Sequence, residues 1–224
     1  VAQQNLKYLG LEVGTRMTII RLKNGEIVVI SPIKVDKETI NQINELGKVR
    51  IIIAPNLYHH LFISDFKSAY PDTQILAAPG LESKRQDINF DKIINQGKIG
   101  TQNEIEYFLF EGFNTLTPKG AFPLNEVVFF HQESQTLILT DTAFHFDETF
   151  PFITQLITRV IGGYKKLEPS ILEKLAIREK QKVKSSIKTV LNWNFERVIV
   201  AHGSIIDNQG NEKLREGYKW ALLS

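Results

Sequence analysis

The sequence predicts an α/β fold with mixed sheets, and three observations carry that reading. Apolar β-branched runs alternate with helix-period segments through the first half of the chain. From Ile105 onward, strand-like runs follow one another across turns, the pattern of antiparallel pairing. Three such runs, Ile51–Ala54, Thr136–Thr140 and Arg197–Ala201, each deliver His or Asp just beyond their ends. In open α/β sheets the ligand-binding loops leave the carboxyl ends of strands.

Taken in order, Val1–Gly14 carries scattered Leu and Val and reads as an arm or first edge strand. Met17–Leu22 and Glu26–Ile30 are β-branched runs joined through Asn24-Gly25, a dipeptide that tolerates positive φ and suits a tight hairpin. Asp36 caps a helix whose Val35, Ile40, Ile43 and Leu46 recur at helical spacing, and Gly47 is expected to end it in the left-handed conformation. Ile51-Ile52-Ile53-Ala54 reads as a strand buried on both faces, broken at Pro55 and Asn56 before His59-His60. A short helix over Ile63–Ala69, a strand over Gln74–Ala77 and a turn at Pro79-Gly80 follow.

The second half offers strands at Ile105–Phe110, Glu126–His131 and Thr136–Thr140, with a loop over Glu111–Leu124. A symmetric turn on Glu133 and Ser134 pairs His131 with Thr136 and Glu126 with Asp141. Two carboxylates placed opposite each other need a proton, a cation or a separating twist, and a metal is the sharper expectation. Phe144–Tyr164 is rich in Phe; its Phe152, Ile153, Leu156, Ile157, Val160 and Ile161 form an apolar stripe expected to pack on the core, with a part in shaping a substrate pocket as the second option. Ser170 and Glu173 form a capping box opening a longer helix whose Leu172, Leu175, Ala176, Val183, Ile187, Val190 and Leu191 share a core-facing side. Its basic residues from Arg178 to Lys188 read as a solvated face. A final helix with Leu214, Tyr218, Ala221 and Leu222 closes the chain.

Composition excludes several functions. A chain of 224 residues buries roughly 70% of its unfolded surface and needs no staple. Without cysteine there are no disulfides, thiolate metal sites or cysteine nucleophiles, which leaves His and carboxylates as transition-metal ligands. Lys and Arg number 27 against 25 Asp and Glu, so no broad field argues for nucleic acid or acidic membranes. Two tryptophans without a basic groove make no base-stacking platform, and Ser31, Ser64, Ser204 and Thr140 lack a nucleophile-elbow context. No secretory signal or membrane-span pattern is present, so a cytoplasmic location is expected.

His60, Asp141 and His202 at three strand ends give the chain a resemblance to the metallo-β-lactamase superfamily, from the hairpin at Met17 to the last helix. Ala54-Pro55-Asn56-Leu57-Tyr58-His59-His60-Leu61-Phe62, Pro79-Gly80-Leu81, Asn125-Glu126-Val127 and Thr140-Asp141 look like its divergent DUF4336-type branch, a label that carries no activity. The resemblance implies a four-layer αββα sandwich spanning residues 1–224 as one domain, with a helical insertion at 144–192. Laid on this chain, the superfamily motif H-x-H-x-D-H falls on Pro55, Leu57, His59 and His60, with a further histidine position near Phe122. The first metal site is then dismantled, while the second keeps His60, His202 and Asp141, with His59 in place of an aspartate. The implied metal ligands are therefore His59, His60, Asp141 and His202, holding at most one Zn or Fe ion or none. Asp141, Glu126 and His59 are the candidate catalytic groups, Glu126 as ligand, support or base. His131 lies about 17 Å from Asp141 by strand rise and is set aside, while His145 stays a candidate. The expected function is a metal-dependent hydrolase of a small-molecule ester, thioester, amide or phosphate. The alternative is a non-catalytic binding or scaffold protein that has lost its metal, and iron redox chemistry ranks third.

Overall fold

The apolar run ending at Ala54 is buried on both faces, and its two faces define the layers of the molecule. Side chains alternate along a strand. Ile51 and Ile53 point toward a core shared with Tyr107, Phe129 and Ile138, whereas Ile52 and Ala54 join Ile43, Ile63 and Phe66 from flanking helices. The structure, a computed structural model, describes residues 1–8, 10–117 and 120–223.

The first sheet has six strands in the spatial order Ala2–Gln4, Thr15–Arg21, Glu26–Ile30, Lys48–Ala54, Gln74–Ala77 and Lys92–Ile93. Its first three strands pair antiparallel and the rest parallel. The second sheet has five, in the order Arg197–Val200, Thr136–Leu139, Glu126–His131, Ile105–Phe110 and Gln96–Ile99, with one parallel pair between Thr136–Leu139 and Arg197–Val200. The outer face of this second sheet is covered by Val183, Ile187 and Val190 of the helix Lys180–Leu191 and by Leu214 of Gly210–Gly217. Helices, sheet, sheet and helices thus stack as αββα.

Local chemistry matches most of the expected elements. Asp36 Oδ1 accepts the Thr39 N–H at 2.8 Å and caps Lys37–Leu46. Gly47 ends that helix at φ +152° and ψ −173°, outside the left-handed helical region that was expected. Glycine is required there because a Cβ would sit 2.2 Å from the Gly25 carbonyl oxygen. In the hairpin only Gly25 takes a positive φ, +83°, and the Leu22 N–H donates to Glu26 O across the turn.

Other expectations are revised. The expected first edge strand forms at Ala2–Gln4, and a small hairpin, Lys7–Tyr8 with Leu11–Glu12, is added after it. The Glu111–Leu124 loop holds a second small hairpin, Asn114–Thr117 with Gly120–Pro123, whose Pro118 and Lys119 lie outside the described residues. The helix opened by Ser170 breaks after Ala176, and a separate helix begins at Lys180. Packing sets the break: Ile177 turns into the core, and Glu179 closes on Gly112, where an added Cβ would meet the Glu179 carbonyl at 2.8 Å. Leu172 and Leu175 consequently face outward. The Phe-rich segment forms the helix Phe152–Ile161 in the inverse of the expected orientation, with Thr154 and Thr158 buried and Phe152, Ile153, Leu156 and Val160 exposed. Among the described residues no helix is long and apolar enough to cross a membrane.

Candidate metal centre

Four strands that run parallel within their sheets deliver the site at their carboxyl ends. Glu26–Ile30 is followed by Ser31, Lys48–Ala54 by Asn56 and His59, Thr136–Leu139 by Asp141, and Arg197–Val200 by His202. The turn after Ala54 is built by Asn56, whose side-chain oxygen accepts the N–H groups of Tyr58 and His59, both at 2.8 Å, an Asx-type turn. That turn breaks the extended geometry and sends adjacent histidines to opposite sides. His59 points inward to Asp141 and His202. His60 points away, with Nδ1 2.9 Å from the Arg85 guanidinium.

His59, Asp141 and His202 form one group: His59 Nε2 lies 3.2 Å from His202 Nε2 and 3.3 Å from Asp141 Oδ2, and His202 Nε2 lies 3.3 Å from Asp141 Oδ1. Each imidazole is held by its other nitrogen. His202 Nδ1 donates to the Gly14 carbonyl at 2.5 Å, which leaves the Nε2 lone pair of the neutral ring facing the group. His59 Nδ1 sits 2.6 Å from Ser31 Oγ. Ser31 adopts φ +56°, an uncommon backbone for a residue other than glycine, and this aims its hydroxyl at the ring.

Asp141 is fixed from below. Asn56 Nδ2 donates to its Oδ2 at 2.7 Å and to Thr140 Oγ1 at 2.9 Å. Glu126, wholly buried, accepts the backbone N–H groups of Thr140, Asp141 and Thr142 at 2.6 to 3.0 Å and the Thr142 hydroxyl at 2.8 Å. The expected pairing of Glu126 with Asp141 across the ladder is therefore replaced. The ladder stops at the Phe129–Ile138 pair, the chain turns back over the Glu126 carboxylate, and amide donors rather than a cation compensate it. Both its oxygens are occupied, so it shapes the Asp141 turn and is not free to accept a substrate proton. His145 is also elsewhere engaged, with Nδ1 3.1 Å from Ser204 O, and His131 bonds Ser134 at the far end of its strand. The His202 loop is anchored by buried Arg16, which donates to Val200 O and, at 2.7 Å, to Gly203 O.

The electrostatics follow from burial plus proximity. Burial alone would raise Asp141, yet His59 and His202 hold its carboxyl well below the usual range. Burial alone would lower His59, yet the Asp141 charge and hydrogen bond raise it. Burial, then the charge of Asp141, push Glu126 upward against the pull of its amide donors. His60 goes the other way, lowered to about 4 by burial and by Lys84 and Arg85. Tyr8 and Tyr58, raised mainly by burial, are close enough to feel Asp141, as is Glu173. Sequence reasoning gave Asn56, Arg16, Tyr8, Tyr58 and Glu173 no part in the site, naming Asn56 only as a strand breaker and Glu173 only as half of a capping box, and it weighed Ser31 only as a nucleophile. Of these only Asn56, next to a strand-ending Pro55, carried a readable signal, the turn-forming amide.

The arrangement of layers is that of the metallo-β-lactamase fold. Over 98% of this chain and 91% of the other, the DIM-1 metallo-β-lactamase superposes with a TM-score of 0.65 at 12% identity. FIM-1 from Pseudomonas aeruginosa, in its mono-zinc form, matches over 99% and 87% with a TM-score of 0.61 at 10% identity. The Flv1 flavodiiron core from Synechocystis matches over 96% of this chain and 54% of its own length, with a TM-score of 0.60 at 12% identity. Within that fold class the chain belongs to the DUF4336 family, a domain of unknown function whose model matches residues 1–165. No curated protein sequence matches the chain.

Proposed function

We propose that the protein is a metal-dependent hydrolase that holds one Zn²⁺ or Fe²⁺ ion through His59, Asp141 and His202. The observation that carries this reading is the convergence of three donors. Tetrahedral metal sites with bonds of about 2.0 to 2.1 Å separate neighbouring ligand atoms by about 3.3 Å; here the two Nε2 atoms lie 3.2 Å apart, each 3.3 Å from a different oxygen of Asp141, and one donor atom from each residue falls within 4.8 Å of the others. Two imidazoles and one carboxylate suit both catalytic zinc and ferrous iron with open positions. The Gly14 and Ser31 contacts orient the rings as outer-shell partners do in metal sites. The superfamily motif then reads one residue earlier, its last histidine falling on His59, and His60 leaves the ligand set.

Such an ion supplies an activated water and a Lewis acid for a carbonyl or phosphoryl oxygen. The chain's own residues do the rest. Asn56 and Glu126 hold Asp141, and Arg16 holds the His202 loop. The second reading is a non-catalytic scaffold. It is favoured by the Asn56 amide on Asp141 Oδ2 and by the raised His59, since a proton shared by His59 and Asp141 satisfies the pair without a metal.

Elemental analysis of chelator-free protein separates the two. One equivalent of metal is expected, lost in His59→Ala and in His202→Ala but kept in His60→Ala, with a thermal midpoint that rises on adding Zn²⁺ or Fe²⁺ to stripped protein. Metal-free protein whose midpoint ignores both ions makes the scaffold reading correct.

A further inference from the structure

We propose that the cleft beside Arg16, on the far side of His202 from the metal group, is a binding site for a small aliphatic carboxylate. The cleft has a volume of about 570 Å³, within the usual range of small-molecule sites. It is bordered by the arm at residues 3–6, by residues 12–16 and by the segments around Phe150 and Ser204. Gly14, Ala201 and Gly203 line it, whereas His59, Asp141 and His202 do not. The Gly14 carbonyl accepts from His202 Nδ1 while Nε2 of the same ring faces the metal group, so the cleft and the group lie on opposite sides of that imidazole.

Charge and wall composition select the occupant. Arg16 is 3% exposed, and among the described residues no carboxylate pairs with it. Its Nη atoms donate to the Val200 and Gly203 carbonyls, and the Gln3 amide oxygen, turned toward the guanidinium, accepts from Nε at 3.0 Å and from Nη2. These contacts take all but one Nη1 N–H of the guanidinium, and every acceptor is neutral, so hydrogen bonding is answered and charge is not. Burial pulls Arg16 below its ordinary pKa with no anion opposing it. A buried cation is costly until an anion joins it. Glu12 does not supply one, because its carboxylate lies 3.7 Å from Lys7 Nζ and is half-exposed. A single uncompensated charge suits a monoanion. Leu6, Val13, Phe150, Pro151 and Ile205 add apolar wall along the same cleft, which suits a hydrocarbon chain attached to that anion. Inorganic phosphate brings more charge than Arg16 answers and nothing to cover the apolar wall.

The site does not depend on a bound metal, so its test runs in chelator: isothermal titration of the full chain with hexanoate, 1-hexanol and inorganic phosphate. Hexanoate is expected to bind once per chain and about tenfold or more tighter than either control, because it alone carries both a monoanionic head and a chain. Exposed Asn5 lines the cleft, and a charge placed there acts on the ligand without touching Arg16. Asn5→Asp should weaken hexanoate about threefold and Asn5→Lys should tighten it by a similar factor, with hexanol indifferent to both. Arg16→Gln should erase the preference for hexanoate over hexanol, and if that variant fails to fold, the Asn5 pair decides alone. His59→Ala should leave hexanoate binding intact. Absence of hexanoate binding, equal affinity for either control, or indifference to the charge at residue 5 overturns the proposal. So does binding lost in His59→Ala, which would put the carboxylate at the metal group.

Discussion

The rim that gathers His59, Asp141 and His202 and the helix Phe152–Ile161 break the inside-outside rule in opposite directions. At the rim, Asn56, Glu126 and Asp141 are drawn into the protein, and each buried polar atom named there has a partner: Glu126 alone collects three amides and a hydroxyl. On the helix, large apolar side chains are pushed out to water while two threonines take the inner side. The contrast teaches where each kind of violation is affordable. A buried polar group costs free energy unless bonded, so the rim stands or falls as a network. An exposed apolar group merely forgoes a gain, so the helix tolerates its arrangement singly, residue by residue.

The largest expected effect breaks the rim. Glu126→Ala leaves the Thr140, Asp141 and Thr142 amides without acceptors in a dry site, and should lower unfolding free energy by about 3 to 5 kcal/mol in a urea titration. A loss below about 1 kcal/mol would mean that solvent reaches those amides and that the rim is no closed network.

An intermediate effect sharpens the difference between the adjacent histidines. In chelated protein the folded state protonates His60 only near pH 4, whereas the unfolded chain does so near 6.5. Between those values the unfolded state binds more protons, so stability rises with pH and is lost as pH falls from about 6.5 toward about 4. His60→Gln should flatten that slope by on the order of 1 to 2 kcal/mol, read as the difference in unfolding free energy between the two ends of the window. An unchanged slope would place His60 in water and away from Arg85.

The smallest effect lies on the helix. Leu156→Gln should change unfolding free energy by less than about 0.5 kcal/mol, because the side chain contributes little to the core of the free protein. A loss of about 2 kcal/mol or more would show that the helix packs by its apolar side after all.

By itself the sequence determined the elements whose causes are local. Asp36 as a cap and Gly25 in its turn are set by residues acting on their own backbone, and the buried strand before Pro55 by an uninterrupted β-branched run. It also determined that His and Asp stand at three strand ends. Tertiary structure alone decided which of two neighbouring histidines meets Asp141, because the Asn56 turn rotates one inward and the other toward Arg85. It decided that amides rather than a cation answer Glu126, because the ladder ends before Asp141 and the chain folds back. It decided which side of Phe152–Ile161 faces in, since the hydrogen-bond acceptor for Thr154 is Glu12, far away in the chain. Apolar periodicity reports that a helix has two faces, and only the surfaces brought against it by distant parts of the chain choose between them.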